Sequence, residues 1–249
     1  NYEKVFFKKF FSLNECVHEY KNKDKEFMAS EVGGRITNFD NEHIIVTFGD
    51  WRDRSRPQSK KSLMGKIVKI NIHTKKTEIL SMGHRNPQGL LFDKEENIIL
   101  SSEHGPQGGD EINLNNLEIN KTKNFGWAIA SYGEHYGGKE KKINKSKYEK
   151  YPLKKSHKDY GFIEPTFYFV PSIAPSEIIK LKGKRKYLMG SMAASSIFIF
   201  EIEDNGKKKI DKYEVFTQNR FNKIKKDRIR DVTILKNKAY FYFENTGMI

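Results

Sequence analysis

The chain has 249 residues and a net charge of +14, from 46 Lys and Arg against 32 Asp and Glu, a length that suits one large domain or two modest ones. Aromatic residues make up 13%, including 18 Phe and 12 Tyr, enough large apolar surface to exclude a disordered chain despite 31% charged residues. Only nine of the basic residues are Arg and no zinc-finger or other nucleic-acid-recognition pattern occurs, so the excess reads as a solvated Lys-rich surface and no nucleic-acid partner is expected.

Cys16 is the sole cysteine, which rules out an intramolecular disulfide and CxxC metal or redox sites. No stretch approaches the roughly 18 apolar residues of a membrane-spanning helix, and nothing resembles a signal peptide. The chain opens at Asn1 without Met, so a processed or truncated start is expected.

Short β-branched and aromatic runs, ended by Gly, Asn, Asp or Pro, recur along the chain, whereas long helical patterns are scarce. The fold class is therefore all-β. Residues 5–13 and 16–20 read as the last two strands of one unit. After them, four segments share a layout of strand, polar turn and more apolar strand: 34–39 with 43–49, 88–92 with 97–101, 176–181 with 187–191, and 229–235 with 239–244. Two further strands follow the first pair, at 66–71 and 77–80, and two follow the third, at 196–202 and 212–217. Aligned on Arg35, Gln88, Ser176 and Arg230, the spacings are 53, 88 and 54 residues. The long interval contains a polar Lys/Gly/Tyr-rich insertion, 115–165. A period near 50 with four strands per unit is the signature of a β-propeller blade. The expected organisation is one partial propeller: the end of a blade in 1–28, blades at 29–82, 83–170 and 171–218, and the start of a last blade in 219–249. That makes about three full blades and two halves.

Four strings gather polar groups where loops meet one end of the blades. Gly83-His84-Arg85-Asn86-Pro87-Gln88-Gly89 puts a cation and several hydrogen-bonding groups on a constrained turn. In residues 102–113, small residues at 105–109 would let backbone carbonyls face a hard cation, with Asp110 and Glu111 adding negative charge. The third string is Pro171-Ser172-Ile173-Ala174-Pro175-Ser176. In the fourth, Arg228-Ile229-Arg230-Asp231, the two Arg lie two positions apart on one face of a strand, a spacing that can grip a carboxylate-rich ligand.

Together with Glu103-His104-Gly105-Pro106, Asp110-Glu111-Ile112-Asn113-Leu114 and Asn124-Phe125-Gly126-Trp127, these strings stand in an order that resembles the soluble PQQ-dependent aldose sugar dehydrogenases, also called glucose/sorbosone dehydrogenases. The similarity runs from about Gly33 to the C-terminus. It implies a six-bladed β-propeller, here incomplete, that oxidises the CH-OH group of an aldose with hydride transfer to pyrroloquinoline quinone (PQQ) anchored by Ca²⁺. It also implies a sugar substrate, an external electron acceptor and a periplasmic or secreted location. By the same resemblance, Arg85, Asn86 and Gln88 would surround the quinone, and the backbone carbonyls of Gly105 and Pro106 would bind Ca²⁺. Ser172, Arg228 and Arg230 would hold the cofactor carboxylates. Two positions depart from the family pattern. Glu31 in Glu31-Val32-Gly33-Gly34-Arg35 stands where the family carries its general base, a His. Ala193 stands where many members carry a Lys near the quinone.

The remaining residues have plainer readings. His18, His73, His135 and His157 share no metal spacing and read as surface histidines, His43 as structural, Trp51 and Trp127 as packing anchors, and Asp50 as a turn residue first and a pocket acid second. Glu134 and Tyr136 could reach a substrate. Three classes of function stay open: a sugar dehydrogenase with Glu31 as base, a catalytically impaired propeller of the same family that binds carbohydrate or protein, or a binder of anionic polymers driven by the Lys excess.

Overall fold

The computed structural model describes residues 4–18, 30–118, 121–138, 142–183, 185–203, 209–217 and 227–249. The fold is an incomplete β-propeller of three blades and the first hairpin of a fourth. The first blade pairs β1 (Gly33–Asn38), β2 (His43–Phe48), β3 (Lys66–Asn71) and β4 (Thr77–Met82) in sequence order, all antiparallel. The second contains β5 (Pro87–Asp93), β6 (Ile98–Glu103), β7 (Asp110–Asn116) and, after an excursion, β9 (Phe167–Phe169). That excursion carries β8 (Lys123–Asn124), which adds in parallel to β4, and one helix, α1 (Lys142–Lys150). The third blade is β10 (Pro175–Lys180), β11 (Lys186–Ser191), β12 (Ser196–Glu203) and β13 (Lys209–Thr217). The chain ends in the hairpin of β14 (Ile229–Leu235) and β15 (Lys238–Phe243).

The strand pairs read from the sequence are present with their ends displaced by at most three residues. Three strands were not read, among them β8, of two residues. β7 is rich in Asp, Glu and Asn yet almost wholly buried, because its polar side chains are hydrogen-bonded within the sheet and to adjacent loops. β9 is only three residues long. In the other direction, the strands expected at 5–13 and 16–18 are not formed; the rest of the second lies outside the described residues. Residues 4–18 instead lie extended against the first blade, where Glu15 accepts from Arg56 at 2.6 Å, Ser62 Oγ at 2.9 Å and the Leu63 amide at 2.7 Å.

Core side chains sit mainly between blades. Ile98, Leu100, Ile112 and Phe169 of the second blade pack on Ile178, Met189, Phe198 and Phe200 of the third. Tyr187 lies in this layer, fully buried, and its hydroxyl donates to Asp93 at 2.8 Å across the blade boundary. Leu90 and Ile99 pack on Ile45 and Ile67 of the first blade, and Leu188 and Ile197 pack on Ile229 and Val232 of the last hairpin.

β1, β5, β10 and β14 are the first strands of their sheets and neighbour one another, which makes them the axial lining. Each opens with a register shift, and such bulges re-aim side chains near a strand end. Arg35 crosses this axis: its Nε donates to Gln88 O at 2.6 Å, while Nη1 meets Asp231 and Glu177 at 3.1 Å each. No helix among the described residues is long and apolar enough to cross a membrane.

Candidate functional site

The turn between β4 and β5 supplies the centre of the site. His84 is fully buried and anchors it, with Nε2 at 2.8 Å from Ser81 Oγ and Nδ1 at 2.8 Å from Glu103 Oε2. The other oxygen of Glu103 accepts the Arg85 amide. The guanidinium of Arg85 is thereby aimed at the turn after β6, where Nη1 donates to His104 O at 3.0 Å and Gly105 O at 2.7 Å.

Glu31 reaches the same guanidinium from the segment before β1. Its Oε1 lies 2.8 Å from Arg85 Nη2 and 3.2 Å from Arg52 Nη2, and its Oε2 lies 3.3 Å from Arg85 Nη1. The arrangement is sealed from water, with the Arg85 and Glu31 side chains 6% and 9% exposed. Trp127 and Tyr136 cover Arg85, their ring centres 5.6 and 5.8 Å from Cζ. Burial works against the charge on Arg85, but Glu31 and Asp50 outweigh it and hold the guanidinium charged. Asp50 lies behind, buried, and accepts from Trp127 Nε1 at 2.6 Å and from the Arg52 amide at 2.8 Å. Burial pushes its carboxyl up to about 6, against the pull of Arg85 and the indole.

Asn86, next along the turn, turns its amide oxygen inward to the Gly33 amide at 3.1 Å and to Gln88 Nε2 at 2.9 Å. Its Nδ2 has no partner among the described residues, so it remains a donor for a ligand. Gln88 therefore acts on Asn86, fixing which end of the amide faces out.

Asp110, at the start of β7, joins two of the candidate loops. Its Oδ1 accepts the Gly105 amide at 3.0 Å and Ser172 Oγ at 3.2 Å, and its Oδ2 accepts the amides of Ile173 at 2.8 Å and Ala174 at 2.7 Å. Ser172 in turn accepts the Gly108 amide at 3.0 Å and lies 3.5 Å from Pro106 O. Asp110 is thus a staple for backbone amides, not a negative charge presented to a cation. Glu111 is buried too, and burial beside Glu103 raises its carboxyl well above the ordinary carboxylate range. The carbonyls of Gly105 and Pro106 stand without carboxylate help, and no group of three or more His, Cys, Asp or Glu among the described residues is arranged to hold a metal.

Arg228 and Arg230 lie one layer away. Ala193 is exposed just after β11, its amide bonded to Ile173 O at 2.9 Å, and the preceding Met192 touches Arg228 through Sδ at 3.6 Å. Both Arg grip Glu244, which follows β15, with Arg228 Nε 2.5 Å from Oε2 and Arg230 Nη2 against Oε1. Beside Ser172 opens a groove of about 940 Å³ lined by Tyr132, Glu164, Thr166, Tyr168, Val170, Pro171 and Ile173, among others. Tyr132 and Tyr168 stack there face to face, 3.8 Å apart and 4° from parallel.

The site residues expected from the sequence thus form two connected groups, Glu31 with Arg85, Asn86, Gln88 and Gly105, and Pro106 with Ser172; the Arg228–Arg230 pair stands close by. Reading by sequence missed the roles of Arg52, Glu103 and Glu244, which depend on pairing across 14 to 21 residues, and it put Asp50 in a turn first and in the pocket only second. It also placed His135 and His157 at the surface, whereas both are 1% exposed. They are interior struts of the insertion, bonded to Tyr151 O at 2.7 Å and Phe125 O at 2.8 Å.

An axial-face site built on a β-propeller, with an acid–guanidinium pair at one end and an arginine pair at the other, defines the class of protein. Residues 9–248 match the family model described as Glucose / Sorbosone dehydrogenase, and the chain belongs to that family. It is 26% identical over 232 residues to the aldose sugar dehydrogenase YliI of Escherichia coli, covering 86% of this chain and 57% of that protein. A crystal structure of a glucose dehydrogenase superposes with a TM-score of 0.68 at 25% identity, over 85% of this chain and 60% of that one. The PQQ-bound aldose sugar dehydrogenase of Streptomyces coelicolor superposes with a TM-score of 0.56 at 21% identity, over 81% and 52% of the two chains. The chain spans about half the length of the curated relatives it matches.

Proposed function

We propose that this chain carries the cofactor and sugar site of a PQQ-dependent aldose dehydrogenase. The observation that carries the reading is the meeting of a carboxylate, a charged guanidinium and an unpartnered amide donor, from Glu31, Arg85 and Asn86, beside the Gly105 carbonyl. The residues fit the proposed group. Gly105 O gives one lone pair to Arg85 and keeps the other, and Pro106 O has only a 3.5 Å hydroxyl neighbour, so the two can hold Ca²⁺ as neutral oxygen ligands. Arg228 and Arg230 share a single carboxylate and retain an excess positive charge for a ligand's own carboxylates, with Ser172 as a further donor.

When bound, the quinone with its Ca²⁺ supplies the hydride acceptor for the sugar's C1. The chain's part is to bind, orient and move one proton. Asn86 Nδ2 and Arg85 direct hydrogen bonds and positive charge at a quinone carbonyl, and Gln88 and Glu103 hold these two side chains in place. Glu31 takes the anomeric hydroxyl proton on Oε2, the oxygen with a single 3.3 Å contact. The groove beside Ser172 offers the sugar an aromatic wall and hydrogen-bonding groups. An external electron acceptor and a periplasmic or secreted setting complete this reading.

The alternative, a relative that binds ligands without turnover, draws on one observation: Arg52 and Arg85 both hold Glu31, which occupies the carboxylate that would have to reach the sugar hydroxyl. The protein is titrated with PQQ and Ca²⁺, and dye-linked aldose oxidation is assayed with and without Glu31→Gln. The variant should bind PQQ like wild type while kcat falls about 10²- to 10⁴-fold, the usual worth of a general base. No PQQ binding at micromolar concentration removes the enzyme reading; binding without turnover by wild type supports the alternative.

A further inference from the structure

Among the described residues, Glu244 is the one carboxylate that forms salt bridges with Arg228 and Arg230, and it meets both. All three side chains are 34–42% exposed, so the pair is reachable from solvent. The two guanidinium groups hold the Glu244 carboxyl below the ordinary carboxylate range, so the two Arg share one ionised partner at neutral pH. The backbone on either side is fixed by Asp227. Its Oδ1 accepts the Arg228 amide at 2.6 Å and the Asn245 amide at 2.9 Å, and its Oδ2 accepts the Thr246 amide at 3.0 Å and hydroxyl at 2.7 Å. Glu244 is therefore pinned opposite the two Arg by a turn that does not depend on the salt bridges, and only its side chain needs to move for the pair to open.

We propose that Glu244 is a built-in competitor for anionic ligands at this pair. It cancels half of the pair's charge, and a ligand carboxylate binds by taking its place on the guanidinium groups. The effect is to select against monocarboxylates, which merely exchange one carboxylate for another, and in favour of polycarboxylates, whose further charges find other partners nearby. Where that ligand is PQQ, the inference rests on the function proposed above; the competition itself concerns any polycarboxylate.

Equilibrium binding to wild type and Glu244→Gln, which keeps the side-chain shape and removes the charge, tests this with two probes: PQQ, followed by its absorbance, and citrate, followed by calorimetry. The variant should bind both about tenfold more tightly, as expected when one like charge within a few ångström is removed, and the salt dependence of binding should steepen. Tighter citrate binding without PQQ binding by either protein upholds the role of Glu244 and refutes the quinone reading. Unchanged or weaker binding of citrate by the variant overturns the proposal, and weaker binding means that Glu244 instead positions the pair.

Discussion

Replacing Asp110 by Asn should loosen the two loops that the candidate site is built on, and the cost follows from its four hydrogen bonds. One oxygen takes the Gly105 amide and the Ser172 hydroxyl, the other the amides of Ile173 and Ala174, and the residue is 2% exposed. Asn retains one acceptor and turns an NH₂ group toward the other two donors. With the amide oxygen toward the Ile173 and Ala174 amides, the NH₂ faces the Gly105 amide and orphans it, while the Ser172 hydroxyl can accept from the NH₂ and donate to Pro106 O, so the loss is about 1 to 3 kcal/mol. With a urea dependence of about 2 kcal/mol per molar, the unfolding midpoint should fall by about 0.5 to 1.5 M. Hydrogen exchange at the amides of residues 105, 173 and 174 should speed up beyond the global change, because the staple is local. A midpoint shift under about 0.5 M, with protection at those amides unchanged, would refute the view that Asp110 ties the loops together.

Tyr187→Phe removes the hydroxyl bonded to Asp93 inside the layer between two blades and leaves the ring packed. Because the acceptor is a charged carboxylate whose other partners, Lys180 and the Glu95 and Glu96 amides, all sit on Oδ1, the loss at Oδ2 should be about 1.5 to 3 kcal/mol by urea unfolding; a change below about 0.5 kcal/mol would contradict the buried bond. Asp50 gives a pH signature. Its folded-state pKa of about 6 lies above the ordinary 3.8, so its contribution to stability is full below pH 4 and is lost as pH rises through 6, by about 3 kcal/mol. The stability difference between wild type and Asp50→Asn should change by about that amount between pH 4 and 7.5, and parallel curves would show that Asp50 titrates normally.

Much of the propeller was legible because each blade repeats the same physical demand: an inner strand with a bulge, then a more apolar strand buried on both faces, as in β6 and β11. What stayed hidden was the strand that breaks this rule. β7 reads as a loop because Asp110, Glu111 and Asn113 are polar, and only the fold shows that Asp110 and Asn113 are bonded to loop amides and to Glu103. Likewise the residues of the site were readable wherever a local string carried them, as at Arg85, Asn86 and Gly105. Glu244 was not, since nothing in a lone Glu before Asn-Thr-Gly signals two Arg across a hairpin. His157 misled for the same reason: a His among Lys and Asp reads as solvated, until Phe125 and the stacked Tyr132 cover it.

The overall charge of +14 says little about the site, because the cations there are matched by acids group by group. Around Glu31, the positive charges of Arg52 and Arg85 face the carboxyls of Glu31 and Asp50, two against two. At the hairpin, Arg228 and Arg230 pair with Glu244 alone among the described residues, two against one. A ligand with a charged end and a neutral end is therefore oriented by this difference: its carboxylates are favoured at the hairpin, and its neutral, reactive end is left to the acid–guanidinium pair. There desolvation strengthens each interaction.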